Sequence, residues 1–339
     1  MERIPSQPPL IPPLNVSEPR PLWSVMIPTY NCSKYLRFAI ASVLQQDPGP
    51  DKMQIEVVDD FSTDADVSEI VRDIGSGRVG YYRQPENKGS LRNFETCINR
   101  AKGHYVHLMH GDDSVTDGFY VTMERLFKRF PEAGAAFCAF NMINEENVSF
   151  ATSAKQSTEE CVLKDFLIEI AKEPKLQYVC MVVKRSVYEK LGSFYLATYG
   201  EDWEMWTRIA SNYPVAYTPE AMGNYRAHLN SITSRSFRTG ENVRDIAKVI
   251  EKNIEHLPSD QRALVRKQAR KYYAYDAIKK TYSLWYRSQS KESVNAQIKE
   301  VLKLYKDFGI ISHCIKVKLL MLLPASWLPS IRKMVRKDV

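Results

Sequence analysis

The sequence predicts an α/β fold in which helices flank a mostly parallel sheet and a helical extension follows. The first observation is that short apolar runs alternate with amphipathic helical segments between Trp23 and about Phe140. The second is that the connections between them are short, which is typical of Rossmann-like sheets covered on both faces. The third is that the chain beyond Gly240 is basic and has helical periodicity.

The elements follow from this pattern in order, since strands are apolar runs and helices repeat apolar residues on one face. Predicted strands cover residues 23–28, 55–58, 79–83, 104–109 and 135–140. Predicted helices cover residues 35–46, 67–74, 90–100 and 117–130. The pattern then loosens, with helices at 162–172, 186–191 and 201–211 and strands at 178–183 and 215–217. The basic helices are predicted near 241–256, 259–287 and 291–307.

Charge is unevenly distributed in this 339-residue chain of net charge +7. Residues 231–339 carry 23 Lys and Arg against 10 Asp and Glu, a net +13, so residues 1–230 carry −6. A basic end suggests an anionic partner, such as a membrane surface or nucleic acid. The alternative is that these cations only solvate helix faces. No run of about 18 apolar residues predicts a membrane-spanning helix.

The N-terminus and the cysteines indicate a cytoplasmic location. Residues 1–21 are rich in proline and lack the apolar core of a secretory signal, so we expect a flexible arm. The six cysteines form no C-x-x-C pair, which favours free thiols in a reducing compartment. The predicted domains are therefore the arm at 1–21, an α/β domain at 22–237, and a basic helical region at 238–339.

Two adjacent carboxylates, Asp112 and Asp113, follow the predicted strand at 104–109. Such a pair repels itself and loses hydration, so a hard divalent ion is the simplest compensation. Aspartates at a strand end also form turns and helix caps, which leaves a structural alternative open.

Two further polar loops are expected at the same edge, because ligands bind at the carboxyl ends of parallel strands. These loops are Pro28–Asn31 and Asp59–Asp64. Tyr30 could pack on a base or be a surface aromatic residue, and Asp60 could accept from a base or cap the next helix. Arg92, in the first turn of the following helix, could face a base or phosphate or be solvated.

Taken together, these motifs resemble family two glycosyltransferases of the GT-A fold over about residues 22–235. The motifs are Pro28-Thr29-Tyr30-Asn31, Val57 to Asp64, Asn87-Lys88-Gly89-Ser90, Gly111-Asp112-Asp113 and Gly200-Glu201-Asp202. The resemblance implies an inverting enzyme that needs Mn²⁺ or Mg²⁺ and a nucleotide-diphosphate sugar, with a UDP-sugar expected. The acceptor would be a hydroxyl of a saccharide or a lipid-linked saccharide, and no nucleic acid would bind.

The resemblance also implies roles for single residues. The base would be surrounded by Pro28, Tyr30, Asp60 and Arg92. Asp113 would bind the metal directly, and Asp112 would meet the ribose or the metal through water. His228 would meet the metal or the diphosphate, unless it is only structural, and Arg226 is a further candidate phosphate contact. The chain departs from the family at Gly111, where many members carry another aspartate.

Asp202 is the candidate catalytic base, with Glu201 beside it. An inverting transfer is one in-line displacement, so the acceptor hydroxyl must lose its proton to a positioned carboxylate. The pair opens a predicted helix, whose dipole favours the ionised form; an acidic first turn is also common on any helix. Trp203 and Trp206 could form an aromatic platform for a sugar or belong to the core.

The apolar and cationic segment at 310–327 could lie on the inner face of an anionic membrane or pack back on the domain. The membrane interpretation would suit assembly of surface polysaccharide or glycolipid. Three other functions remain open: a non-catalytic nucleotide-sugar-binding scaffold, a sugar nucleotidyltransferase, and a retaining transferase. A nucleotidyltransferase normally has a glycine-rich loop after its first strand, whereas residues 28–34 contain no glycine.

Overall fold

A computed structural model describes residues 2–15, 19–228 and 236–323 of the chain. These residues fall into two compact units. The first unit lies within residues 1–170 and 174–228, and the second lies within 171–173 and 229–339.

The described strands of the first unit form one sheet. They are β1 (Trp23–Thr29), β2 (Met53–Asp59), β3 (Gly80–Arg83), β4 (Tyr105–Leu108), β5 (Ser114–Val115), β6 (Ala135–Ile143), β7 (Ser149–Thr152), β8 (Cys161–Val162), β9 (Met181–Lys184) and β10 (Val215–Arg226). The strand order is β3-β2-β1-β4-β9-β6-β10-β5, with β7 beside β6 and β8 beside β10. Strands β1 to β4 are mutually parallel, as are β6 and β10, whereas β9 runs antiparallel to its neighbours β4 and β6. The predicted α/β class with a mostly parallel sheet is confirmed.

Helices connect these strands. They are α1 (Ser33–Leu44), α2 (Val67–Gly75), α3 (Ser90–Arg100), α4 (Phe119–Arg129), α5 (Phe166–Lys172), α6 (Arg185–Leu191) and α7 (Glu201–Ala210). The path from β1 to β3 moves one way across the sheet and the step from β3 to β4 reverses it. Because such crossovers are right-handed, the reversal places α3 on the opposite face from α1 and α2. The reversal also creates a switch point between β1 and β4, where open α/β sheets bind ligands.

Strand β1 is central to the sheet, and each of its seven residues is buried. It pairs with β2 on one side and β4 on the other, so its apolar residues have no solvent-facing side. The predicted strand at 178–183 is only partly a strand. Residues Tyr178–Cys180 form a 3₁₀ turn, and β9 begins at Met181.

Residues 2–15 correct the prediction of a flexible N-terminal arm, because they pack on the first unit. Ile11 is 2% exposed, and the carbonyls of Pro5 and Pro9 accept backbone hydrogen bonds from Leu196 (3.0 Å) and Ser193 (2.8 Å). The composition of the segment could not indicate that the rest of the first unit supplies hydrogen-bond donors along its path.

The second unit is helical in its described part. Its helices are α8 (Glu241–Glu255), α9 (Ser259–Ser288), α10 (Lys291–Leu304) and α11 (Phe308–Leu320). Helix α9 packs against α8, α10 and α11. Among the described residues, no helix is both long and apolar enough to cross a membrane. The end of the predicted interfacial segment, with the basic pairs at 332–333 and 336–337, lies outside the described residues.

Candidate active site

Three loops meet at the carboxyl edge of the sheet, at the switch point. The amide of Asp60 donates to the carbonyl of Thr29 (2.9 Å), and the amide of Gly111 donates to that of Pro28 (3.2 Å). The amide of Asn31 donates to Ser62 Oγ at 3.0 Å. The loops after β1, β2 and β4 are therefore bonded to each other.

The carboxylate pair after β4 is held by the end of β10. Asp113 is 2% exposed, and its Oδ1 accepts from the amide of Arg226 at 2.9 Å. Burial, and next the charge of Asp112, raise the pKa of Asp113 well above its ordinary value. Burial alone would raise the pKa of Asp112 too, but the hydrogen bond from His228 Nε2 to its Oδ2, at 2.9 Å, helps to lower it. The two carboxylates lie close enough together to be compensated by one shared cation.

His110, Asp112 and Asp113 can together hold a divalent ion. One ligand atom from each of the three lies within 4.8 Å of the others. The His110 Nε2 atom is buried and has no hydrogen-bond partner in the part of the chain that the structure describes. Burial also lowers the pKa of His110, which keeps the imidazole neutral and able to coordinate. The two carboxylates fit Mn²⁺ or Mg²⁺, and the imidazole favours Mn²⁺, which is the softer of the two ions.

Gly111 is enclosed on the side where a side chain would project. A Cβ atom there would lie 2.9 Å from both Cys32 Sγ and Thr29 Oγ1, and 3.4 Å from Leu36 Cδ1. An aspartate at this position would need its neighbours to move. The departure from the family pattern therefore has a steric reason that the sequence did not reveal.

Arg226 is a structural organiser of this edge. Its guanidinium donates to the carbonyls of Asp112 (2.7 Å) and Asn144 (2.8 Å) and to Asn147 Oδ1 (2.6 Å). The guanidinium also lies 4.7 Å from the ring centroid of Tyr35, and the residue is 1% exposed. Its hydrogen bonds are directed at protein acceptors, which disfavours the predicted phosphate contact.

The carboxylate of Asp60 organises the loop that precedes α3. It accepts from the amides of Lys88 (2.8 Å) and Gly89 (2.9 Å) and from Asn87 Nδ2 (2.9 Å). Burial raises the pKa of Asp60, and these amides oppose that shift, as does the charge of Arg3.

The other predicted base contacts differ in their availability. Pro28 is buried within β1, whereas Tyr30 is 39% exposed at the edge. Arg92 Nη1 pairs with Glu95 at 2.7 Å, and its Nε donates to the carbonyl of Glu2 at 2.8 Å. Tyr30 is therefore the accessible member of this group, and Arg92 is partly committed to protein contacts.

Helix α7 begins at the second pair of carboxylates, Glu201 and Asp202. Gly200 caps this helix with a φ of 87°, a conformation that favours glycine. Asp202 Oδ1 accepts from the amide of Trp203 at 2.7 Å. Burial raises the pKa of Asp202 to about 6, although its backbone hydrogen bonds act in the opposite direction. A carboxylate with this pKa is suited to accept a proton near neutral pH.

Tyr178 connects this helix to the cluster after β4, and sequence reasoning missed it. Its hydroxyl donates to Glu201 Oε1 at 3.2 Å, and its ring centroid lies 4.3 Å from that of His110. Burial, and next the charges of Glu201 and Asp202, raise the pKa of Tyr178 well above its ordinary value, so it stays a neutral donor. Tyr178 begins an apolar run, so the only signal of a role in the sequence was its own hydroxyl group.

Trp203 and Trp206 belong to the core. They are 1% and 2% exposed, and Trp203 Nε1 donates to the carbonyl of Ile170. The alternative of an aromatic platform for a sugar ring is therefore wrong for both residues.

A mostly parallel sheet with clustered carboxylates at its switch point is typical of α/β enzymes that bind nucleotides. Residues 24–192 match glycosyl transferase family 2. The chain belongs to this family, and it is a glycosyltransferase. The resemblance in its motifs is thereby confirmed.

Curated relatives share modest identity with the chain. An uncharacterized protein of Mycobacterium tuberculosis is 24% identical over 249 residues, which are 70% of this chain and 77% of the relative. An uncharacterized glycosyltransferase of Mycoplasma genitalium is 32% identical over 132 residues. That match covers 38% of this chain and only 43% of the relative's length.

Solved structures share the fold. S. aureus TarS 1–349 in complex with UDP-GlcNAc has a TM-score of 0.61 and 15% identity, with 83% of this chain and 80% of that one covered. A mannosyltransferase from Pyrobaculum calidifontis, in complex with GDP-Man and Mn²⁺, has a TM-score of 0.55 and 18% identity. That comparison covers 90% of this chain and 81% of the other. The predicted GT-A fold is confirmed.

Proposed function

We propose that the chain is an inverting glycosyltransferase that moves a sugar from a nucleotide-diphosphate donor to an acceptor hydroxyl. The observation that carries the proposal is that two groups of titratable side chains lie close to Tyr178. One is the cluster of His110, Asp112 and Asp113, and the other is Asp202 with its pKa of about 6. The ring of Tyr178 lies against His110 and its hydroxyl donates to Glu201, the neighbour of Asp202, which supports a common site.

Asp113 and Asp112, with His110, would hold Mn²⁺ or Mg²⁺ at the diphosphate. The bound ion would offset the charge that the leaving group gains as the glycosidic bond breaks. His228 keeps Asp112 oriented through its 2.9 Å hydrogen bond, and its predicted contact with the diphosphate or the metal would come from this position beside the cluster. If Asp112 does not bind the ion, it would contact the ribose of the donor.

Asp202 would take the proton of the acceptor hydroxyl as that oxygen attacks the anomeric carbon. Its pKa of about 6 leaves it mostly ionised at neutral pH yet more basic than an ordinary aspartate. Glu201, which accepts from Tyr178, would hold the start of α7 in position. One displacement with one base inverts the anomeric configuration.

The nucleotide base would lie along the loops after β1 and β2. Tyr30 is exposed there and can pack on a ring, and Pro28 shapes the floor. Asp60 and Arg92 would border the base, the first through the loop that it organises and the second from α3. We propose a UDP-sugar as donor, because the TarS neighbour binds UDP-GlcNAc, with GDP-sugars as the alternative.

The test is a donor panel. Purified protein is incubated with UDP-, GDP- and dTDP-sugars and Mn²⁺, and released nucleotide diphosphate is measured by mass spectrometry. Release from one donor that stops in Asp202→Asn, while that variant still binds nucleotide, supports the proposal. Binding without release from any donor, with saccharide acceptors added, would favour a non-catalytic scaffold. A product that retains the donor's anomeric configuration would overturn the inverting mechanism.

We further propose that the second unit rests on the inner face of an anionic membrane, where a lipid-linked saccharide could be the acceptor for surface polysaccharide or glycolipid assembly. Helix α11 supports this, because it exposes apolar residues one turn apart. They are Ile311 (45% exposed), Ile315 (53%) and Leu319 (56%). Lys316 and Lys318 lie on the same helix, and such a combination suits an interfacial helix.

Liposome flotation tests this placement. The full chain should float with vesicles that contain phosphatidylglycerol, and joint replacement of Ile311, Ile315 and Leu319 by Gln should leave it in the dense fraction. Leu264→Gln, on α9 and 60% exposed, is the matched control and should still float. Equal flotation of all three proteins would remove α11 from the membrane contact.

A further inference from the structure

The N-terminal strap, defined here as residues 2–12, runs along the first unit between two loops of the candidate site. One end contacts the loop before α3, where Arg3 bonds to Asn87. Farther along, the strap contacts the loop between α6 and α7, at Ser193 and Leu196. It therefore contacts the loop organised by Asp60 and the loop that leads to Asp202.

At the first end, Arg3 makes a two-point contact with one asparagine. Its Nη1 donates to the carbonyl of Asn87 at 3.0 Å, and its Nη2 donates to Asn87 Oδ1. With its oxygen engaged in this way, Asn87 directs its Nδ2 to Asp60, at 3.0 Å from the carbonyl and 2.9 Å from Oδ2. Arg3 thus fixes the orientation of the side chain that bonds to Asp60.

Two neighbours confirm how closely the strap lies on this loop. A Cβ atom at Gly89 would approach Arg3 Nε to 3.3 Å, and the φ of Gly89 is +90°. The carbonyl of Glu2 accepts from Arg92 Nε at 2.8 Å. Two residues proposed to border the nucleotide, Asp60 and Arg92, therefore have partners that the strap holds or supplies.

At the second contact, the strap offers its backbone carbonyls to the loop before α7. Pro9 accepts from the amide of Ser193 at 2.8 Å, and Pro5 accepts from that of Leu196 at 3.0 Å. A Cβ atom at Gly192 would lie 2.7 Å from the carbonyl of Pro9. Prolines suit this role, since they are prestiffened and have no N–H that would be left without a partner.

We propose that Arg3 is a positioning residue for the nucleotide donor, because it fixes the orientation of Asn87, which bonds to Asp60. The strap also joins the loop before α3 to the loop before α7, which leads to Asp202. The inference rests on the proposed function, because it assigns the donor to the edge that carries Asp60. It predicts that loss of Arg3 affects donor binding and leaves the chemical step intact.

Arg3→Ala tests the proposal in the full chain. We expect the Kd for the nucleoside diphosphate that the wild type binds, UDP or GDP with Mn²⁺, to rise roughly tenfold, since the lost hydrogen bonds are made by a charged donor. The KM for the donor should rise by the same factor, and kcat should stay within about twofold. Arg3→Lys can keep one of the two contacts and should fall between the wild type and Arg3→Ala.

Arg20→Ala is the matched control at the opposite edge of the sheet. Arg20 also makes two hydrogen bonds, with the carbonyls of Lys102 and Gly103, both at 2.8 Å. Its loss should leave the Kd and KM for the donor unchanged. If Arg3→Ala and Arg20→Ala give the same donor Kd, Arg3 has only a structural role and the proposal is wrong.

A double-mutant cycle with Asn87→Ala separates positioning from general destabilisation. If Arg3 acts through Asn87, the double variant should bind the diphosphate no more weakly than Asn87→Ala alone. Additive losses would overturn the relay. If the wild type binds neither UDP nor GDP, the proposed function itself fails, an outcome distinct from wild-type binding that Arg3→Ala leaves unchanged.

Discussion

The hydroxyl of Tyr178 lies 3.2 Å from Glu201 Oε1. The same ring lies against His110, with 4.3 Å between the ring centroids. One neutral side chain therefore contacts both the proposed metal cluster and the start of the helix that carries Asp202. A displacement of the cluster or of the start of the helix would therefore be transmitted to the other through Tyr178.

Tyr178→Phe should lower kcat about five- to tenfold, because Glu201 loses a buried donor while the ring contact with His110 remains. The KM for the donor should change little. Steady-state kinetics with the identified donor measures both. Tyr217→Phe is the control, since it also loses one hydrogen bond, from the amide of Gln156 at 3.1 Å. Equal kcat values for the two variants would contradict a role for Tyr178.

The pH profile should report Asp202. Its pKa of about 6 implies that kcat/KM is half of its plateau near pH 6 and falls about tenfold per pH unit below that. Asp202→Asn should lower kcat by roughly 10² to 10⁴ and leave nucleotide binding intact. Calorimetric titration with the diphosphate checks binding. Wild-type activity that stays flat from pH 7 to pH 5 would remove Asp202 as the base.

Replacing Asp202 should also stabilise the first unit. In the unfolded chain this carboxyl ionises near 3.8 and in the folded chain near 6, so stability falls as pH rises through that window and stays lower above it. At pH 7.5 we expect Asp202→Asn to be more stable by about 2 kcal/mol, reduced from the full shift because the side chain is partly exposed. Urea unfolding at pH 7.5 and pH 4 measures it, and the difference should fall to about 0.5 kcal/mol or less at the lower pH.

Replacement of Asp113 should remove the metal dependence of diphosphate binding. Asp113→Asn keeps an oxygen for the amide of Arg226 but removes the charge, so Mn²⁺-dependent diphosphate binding should weaken at least about tenfold. EDTA should weaken binding to the wild type by a similar factor and have little further effect on the variant. Asp117→Asn, an exposed residue of the same loop region, should behave as the wild type. Undiminished Mn²⁺ dependence in Asp113→Asn would relocate the metal site.

Much of the fold could be predicted, because the periodicity of apolar residues in short segments indicates parallel strands and the helices between them. The order of β1, β2 and β4 then placed Pro28, Asp60 and Asp113 at one edge. The contacts of Tyr178 and Arg226 could not be predicted in the same way. They depend on pairings between residues 23 to 114 positions apart, such as Tyr178 with Glu201 and Arg226 with Asp112, for which a single sequence contains no periodic signal.

The N-terminal strap shows the same limitation. Its proline content and its lack of an apolar core segment favoured a flexible arm. The body of the protein provides the missing interactions, through the amides of Ser193 and Leu196 and the side chain of Asn87. The composition of a segment shows which groups it contributes to an interface, but it does not show which groups the rest of the protein contributes.

The enclosure of Gly111 has a consequence for laboratory evolution of this enzyme. A library randomised at position 111 alone should return mainly glycine, since any Cβ atom would meet Cys32 and Thr29 at 2.9 Å. A third carboxylate becomes accessible only when the side chains at positions 32 and 29 are both made smaller, first or at the same time. The route to altered metal selectivity therefore passes through Cys32, just before α1, and Thr29 of β1, neither of which belongs to the proposed metal cluster.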